Sequence, residues 1–134
     1  MTDTPLPPLR IEHVDAEAMH DWADLLEDAN PIHLDPAAVR ALGLGDAVIN
    51  QGPRNIAVVL NAISQALPTA ELTGFSARLL GNVHAGDALL VEGLHRTDGA
   101  TITCSARLQA DGRGTVMTLE AHLRAERGQG KEMP

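Results

Sequence analysis

The C-terminal half of the chain alternates between apolar and polar positions. In T-I-T-C-S-A-R-L-Q (101–109), Ile102, Cys104, Ala106 and Leu108 fall on one side, and Thr101, Thr103, Ser105 and Arg107 on the other. Met117, Leu119, Ala121 and Leu123 alternate in the same way with Thr118, Glu120, His122 and Arg124. A period of two belongs to a strand with one buried face. Two more strands are predicted, one over 72–83 with Phe75, Ala77 and Leu79 on one face, and one near 88–95. Short turns at T-D-G (97–99) and D-G-R-G (111–114) separate the last three strands, so the pairing is antiparallel.

The N-terminal half has a different period. L-R-I-E-H-V (9–14) alternates briefly and predicts a short strand. Residues 15–27 predict a helix, with Asp15 as its N-cap and Ala18, Trp22, Leu25 and Leu26 on one face. Asp35 before Pro36 is a cap residue followed by proline at the first helical position, which predicts a short helix over 36–42, stopped by G-L-G at 43–45. Gly52-Pro53 opens a further helix that Pro68 ends. From Ile56 to Leu67 its apolar residues cover most of the circumference, and such a helix is expected to be buried. The expected architecture is α+β: a single domain in which an antiparallel sheet of four long strands, plus an N-terminal one, wraps a long apolar central helix. That is the hot-dog arrangement. Residues 1–8 read as a flexible lead-in and 127–134 as a polar tail.

Composition narrows the function. The 134 residues suit one domain. Trp22 and Phe75 are the only aromatics, so the core is aliphatic and stacking platforms for single-stranded nucleic acid are excluded. A formal net charge of −8 disfavours nucleic acid and anionic membranes as partners. Cys104 is the only cysteine, which excludes an intrachain disulfide and suits a reducing compartment. No signal-like segment or membrane-length apolar run is present, and the expected location is cytoplasmic.

The chemistry concentrates in D-A-N-P-I-H-L-D-P (28–36). Asp28, Asn30 and His33 lie between two predicted helices, in a loop stiffened by Pro31 and Pro36. A carboxylate and an imidazole that converge can hold one water between them, one taking its proton while the other orients it. Asn30, before proline, can pin the loop backbone. Gly52 sits where the N–H groups of a helix terminus are free, and such a donor can stabilise a carbonyl oxygen that becomes negative. Taken singly, each feature has a bland explanation: N-P turns the chain, D-P starts a helix, and G-P starts another. Together they suit proton addition or removal beside a thioester carbonyl. His20 and Asp24 are spaced as a metal pair but lack a third ligand and read as a solvated helix face; His84, His95 and His122 read as structural or exposed. Cys104, on the apolar face of its strand, reads as a core residue.

The segment E-D-A-N-P-I-H-L-D-P-A (27–37), the glycine heading an apolar helix and the strand-rich second half resemble the MaoC-like (R)-specific enoyl-CoA hydratases. The hallmark D-x-N-P-[LIV]-H-x-D of that family is matched by Asp28, Asn30, Pro31, Ile32, His33 and Asp35. The resemblance implies the hot-dog fold, and a reaction in which Asp28 and His33 activate water for syn addition to a trans-2-enoyl-CoA. It further implies that Asn30 orients these groups and that the Gly52 N–H binds the thioester oxygen. No metal or redox cofactor is implied, since coenzyme A arrives as the substrate thioester. A dimer joined edge to edge through its sheets, or a higher oligomer of dimers, is the implied assembly. The helix head departs from the family: Gln51 stands where a histidine is usual, and Pro53 and Arg54 are unusual after the glycine. Gln51, Arg54 and Arg78 are therefore candidate substrate contacts. Arg40 and Arg107 join Arg54 and Arg78 as candidates for the phosphates of coenzyme A. Two rival readings keep the fold. One is an acyl-CoA thioesterase, disfavoured because the central helix from Ile56 to Leu67 carries no acid. The other is a non-catalytic or partner-dependent subunit.

Overall fold

The two cleanest alternating segments form the middle of the sheet. In the computed structural model, which describes residues 2–126, β5 (Thr101–Ala110) and β6 (Gly114–Arg124) pair antiparallel. β4 (Leu89–Asp98) lies on the far side of β5, and β3 (Glu71–Leu79) closes the other edge beside β6. Two short strands, β1 (Asp3–Pro5) and β2 (Leu9–Ile11), pair with successive halves of β4. The path is β1-β4-β5-β6-β3, with β2 also on β4. This is the expected hot-dog sheet of four long strands, with two short N-terminal strands rather than one.

The inward face of the sheet carries the predicted core. Ile102, Cys104, Ala106 and Leu108 are buried with Met117, Leu119, Ala121 and Leu123. They pack around α3 (Gly52–Ala66), which turns Asn55, Val59, Ala62 and Ile63 inward. α1 (Ala18–Leu26) and α2 (Pro36–Ala41) precede it in the chain, and both contact the 3-10 turn (Pro31–His33) that separates them. Asp35 caps α2 as expected, its Oδ1 accepting from the Ala37 N–H at 2.9 Å.

Several expectations are corrected. The lead-in 1–8 contains β1, and Leu6 is buried, its N–H bonded to the Gly93 carbonyl. Prolines 5, 7 and 8 interrupt the ladder at the sheet edge, where lost donors face outward, so β1 and β2 behave as one broken strand. The expected polar tail at 127–134 lies outside the described residues. Asp15 does not cap α1: its Oδ1 accepts from the Glu17 N–H in a turn before the helix. The buried face of α1 runs through Met19 and Ala23, while Leu25 is 73% exposed. The reason is tertiary, because Met19 packs into the apolar core beneath the sheet. α3 is buried on one stripe only, and Ile56, Val58 and Leu60 are half-buried. β3 is an edge strand, and its inward-facing Phe75 and Leu79 are 45% and 54% exposed.

Candidate active site

The segment 28–36 folds as two nested turns. Asp28 Oδ1 accepts from the Asn30 N–H at 3.1 Å, and Asn30 Oδ1 accepts from the Ile32 N–H at 3.2 Å. The first bond orients the carboxylate. The second caps the 3-10 turn that carries His33. Asn30 thus acts through its backbone on Asp28 and through its side chain on the turn, and its own side chain faces solvent.

These turns bring Asp28 and His33 together. His33 Nε2 lies 3.4 Å from Asp28 Oδ2, with the imidazole 10% exposed and the carboxylate 44% exposed. His33 Nδ1 lies 2.7 Å from the Ile49 carbonyl oxygen. A carbonyl only accepts, so Nδ1 carries the hydrogen. In the neutral ring Nε2 is then a bare acceptor beside the carboxylate. Two acceptors facing one point suit a small donor between them, and water is such a donor.

Ile49 belongs to a strip, residues 48–50, gripped from both sides. The Asn50 N–H donates to Val83 O at 2.7 Å and the Ala85 N–H to Val48 O at 2.8 Å. These bonds flank an antiparallel bridge between Ile49 and His84. The backbone groups of Ile49 itself point the other way: its N–H donates to Ile32 O at 2.8 Å and its carbonyl accepts from His33. The acid–imidazole loop is thereby docked onto the segment that leads directly into α3. The Ile49 carbonyl was not foreseeable from sequence, since every residue has one.

The head of α3 is built unusually. Gln51 is its N-cap residue but makes no side-chain cap bond. Its Nε2 instead donates to Met19 O at 2.9 Å, so Gln51 is committed to the core, where it is buried. Asn50 and Asn55 are also buried and bonded to each other at 2.6 Å. Gly52 is the first helical residue, Pro53 has no N–H, and the Arg54 N–H turns back to Gln51 O. The Gly52 N–H has no partner within the helix. A methyl group at Gly52 would come within 2.9 Å of Leu79 Cδ1, so the end of β3 closes over this position.

The arginines are dispersed. Arg54 Nη1 donates to Asp15 O at 3.1 Å; burial lowers the pKa of its guanidinium, and the charge of Asp15 opposes the shift. Arg78 follows the alternation of β3 onto the face opposite Leu79, away from Gly52. Arg40 is exposed in the last turn of α2, and Arg107 faces Glu92 at 3.4 Å. The structure thus brings Asp28, Asn30 and His33 together, links them to the head of α3, and leaves Gln51 and Arg78 facing elsewhere. Cys104 is buried, with His95 directly across the β4–β5 ladder. Burial and the charge of Glu120 push its thiol up to about 11. Among the described residues no helix is long and apolar enough to cross a membrane.

Comparison with known proteins agrees with this architecture. The chain is similar in structure to the ChsH1–ChsH2 complex from Mycobacterium tuberculosis, with TM-score 0.83 and 18% identity over 94% of this chain and 98% of that one. It is similar to the (R)-hydratase from A. caviae involved in PHA biosynthesis, with TM-score 0.82 and 25% identity over 93% and 96%. A third likeness is to the R-hydratase PhaJ1 from Pseudomonas aeruginosa, with TM-score 0.77 and 20% identity over 94% and 90%. No curated protein matches the chain. The family model described as MaoC like domain matches residues 5–109, from β1 to the end of β5, and on that match the chain belongs to the MaoC-like domain family of hydratases and dehydratases.

Proposed function

We propose that this protein is a hydro-lyase that adds water to a trans-2-enoyl-CoA, giving the (R)-3-hydroxyacyl thioester, or removes it in reverse. The observation that carries the reading is the pairing of Asp28 Oδ2 with His33 Nε2 at 3.4 Å, the ring being fixed by the Ile49 carbonyl. A water held between them loses a proton to the pair as its oxygen bonds to C3. The electrons of the C2–C3 double bond move toward the thioester oxygen, where the Gly52 N–H stabilises the developing charge. The proton returns from the pair to C2 on the same face. Asn30 is a positioning residue, since its contacts are to Asp28 and to the loop backbone. The chain's own residues suffice for this chemistry, so no metal or redox cofactor enters the proposal.

Among the candidate substrate contacts, Arg54 is favoured over Gln51 and Arg78. It is half-buried at the helix head, and among the described residues no carboxylate lies within ion-pair distance of it. The proposed assembly is a dimer joined along β3, because Leu72, Phe75 and Leu79 leave apolar surface exposed on an edge strand. A reducing location such as the cytoplasm suits the buried free thiol. The thioesterase reading is not supported, because α3 carries no Asp or Glu. The test is turnover of a panel of trans-2-enoyl-CoAs, followed by loss of the enoyl-thioester absorbance and chiral analysis of the product. The (R)-3-hydroxyacyl thioester is expected; free thiol in its place would favour hydrolysis.

A further inference from the structure

His84 lies outside the acid–imidazole loop, yet its surroundings are built to hold it. It is buried at 6% exposure. Its Nε2 lies 2.8 Å from the Leu44 carbonyl, so Nε2 carries the hydrogen. Its Nδ1 is then an acceptor, and Arg113 Nη1 donates to it. The His84 N–H donates to Asp87 Oδ2 at 2.9 Å, and Asp87 Oδ1 faces Arg113 Nη2 at 3.5 Å. Gly45 lies against the ring: a Cβ there would sit 3.0 Å from Nε2, and its φ of +122° is strained for any other residue.

The position of this ring matters because His84 is the bridge partner of Ile49. The loop 43–47 is fastened through Leu44, the β5–β6 turn through Arg113, and both are fastened to the residue facing Ile49. Ile49 in turn presents its carbonyl to His33 Nδ1. We propose that His84 is a positioning residue for the reaction: with Arg113 and Asp87 it locks the 48–50 strip, so that the Ile49 carbonyl keeps His33 in its Nδ1–H tautomer with Nε2 facing Asp28. The proposal deepens the hydratase reading and rests on it for its kinetic consequence, but not for its structural one. The charged and titratable groups around His84 are Arg113, Asp87, Asp46 in the 43–47 loop, and His13 beside Gly86.

The test compares wild type with His84→Ala, His84→Gln and Arg113→Met. The ring nitrogens of His33 are read by ¹⁵N NMR in the free protein, and kcat and KM are read on an enoyl-CoA that the wild type turns over. The wild type is expected to show the Nδ1–H tautomer of His33. His84→Ala is expected to blur that signature and to lower kcat by about 10–10²-fold with KM little changed, as for a misplaced catalytic group. His84→Gln retains a donor for Leu44 O and is expected to recover most of both. Arg113, 40% exposed, can be removed without emptying the core, so Arg113→Met gives the same readout should His84→Ala fail to fold. Folded variants with the wild-type His33 tautomer and wild-type kcat would overturn the proposal. A wild type without turnover would sink the hydratase reading alone, because the tautomer shift is still read without substrate.

Discussion

The imidazole of His33 is suspended from the carbonyl oxygen of Ile49, 2.7 Å from Nδ1. That single bond chooses the tautomer and aims Nε2 at Asp28. It also separates the structural role of the residue from the chemical one proposed for it. His33→Asn places an amide donor near the Nδ1 position but nothing at Nε2. It is expected to melt close to the wild type and to lose about 10²–10⁴-fold in kcat, the range for removing an acid–base group. Thermal melts and initial rates on one preparation check both halves.

Asn30 predicts a graded effect. Its side chain caps the 3-10 turn, while its backbone N–H holds Asp28 whatever the side chain. Asn30→Ala is expected to cost about 1 kcal/mol of stability through the lost cap. Its activity should fall by less than that of His33→Asn. Asn30→Asp keeps the acceptor and should recover the stability, as denaturant titration will read.

Gly52 predicts loss of activity without loss of fold. The atom that an added methyl meets is the end of the exposed, flexible Leu79 side chain, which can move aside. The cost falls on a ligand approaching the N–H. Gly52→Ala is expected to melt within a few degrees of wild type and to lose activity toward the ~10²–10³-fold typical of an impaired oxyanion donor. Equal kcat/KM for the two proteins would remove Gly52 from the site.

Gly93 predicts the opposite. A Cβ there would lie 2.3 Å from Ser105 O and 2.8 Å from Ala106 Cα, both backbone atoms of the paired strand β5. Neither can rotate away. Gly93→Ala is expected to destabilise by about 1–3 kcal/mol or more, the scale of overpacking in a well-packed region. The midpoint of urea unfolding reads this directly.

Cys104 sets an alkaline limit. The folded state holds its thiol proton up to about pH 11, above the ordinary value of 9.0, so in that window the folded chain binds the proton that the unfolded chain has released. The contribution to stability is full below the unfolded value and is lost as pH rises through about 11. Cys104→Ala should lose less stability than wild type between pH 8 and pH 11. In native protein at pH 8 the thiol should resist alkylating reagents until the chain unfolds.

Local rules were legible in the sequence and tertiary ones were not. The Asp35–Pro36 helix start and the alternation of β5 and β6 depend on neighbours in the chain, and both appear where the pattern puts them. The loop 28–36 was legible because its residues are chemically distinctive and its turns close within two or three positions. The buried face of α1 was not, because it is set by the distant strand and helix residues that pack around Met19 in the core. Apolar character overstates the burial of α3, because it says what a face tolerates, not what covers it; one side meets the sheet and the other is half-open. The strip 48–50 gave no signal at all. Its contribution is a backbone carbonyl, placed by pairing with His84 and Ile32.

The proposed activation of water needs both Asp28 and His33. The most direct measurement is hydration of trans-2-enoyl-CoA by wild type and Asp28→Asn side by side. Asp28 is 44% exposed, so the exchange leaves the core intact while removing the carboxylate. Turnover by the wild type that drops by about 10²-fold or more in the mutant, with the melting profile unchanged, is the predicted result. A folded Asp28→Asn protein that hydrates at the wild-type rate would contradict it.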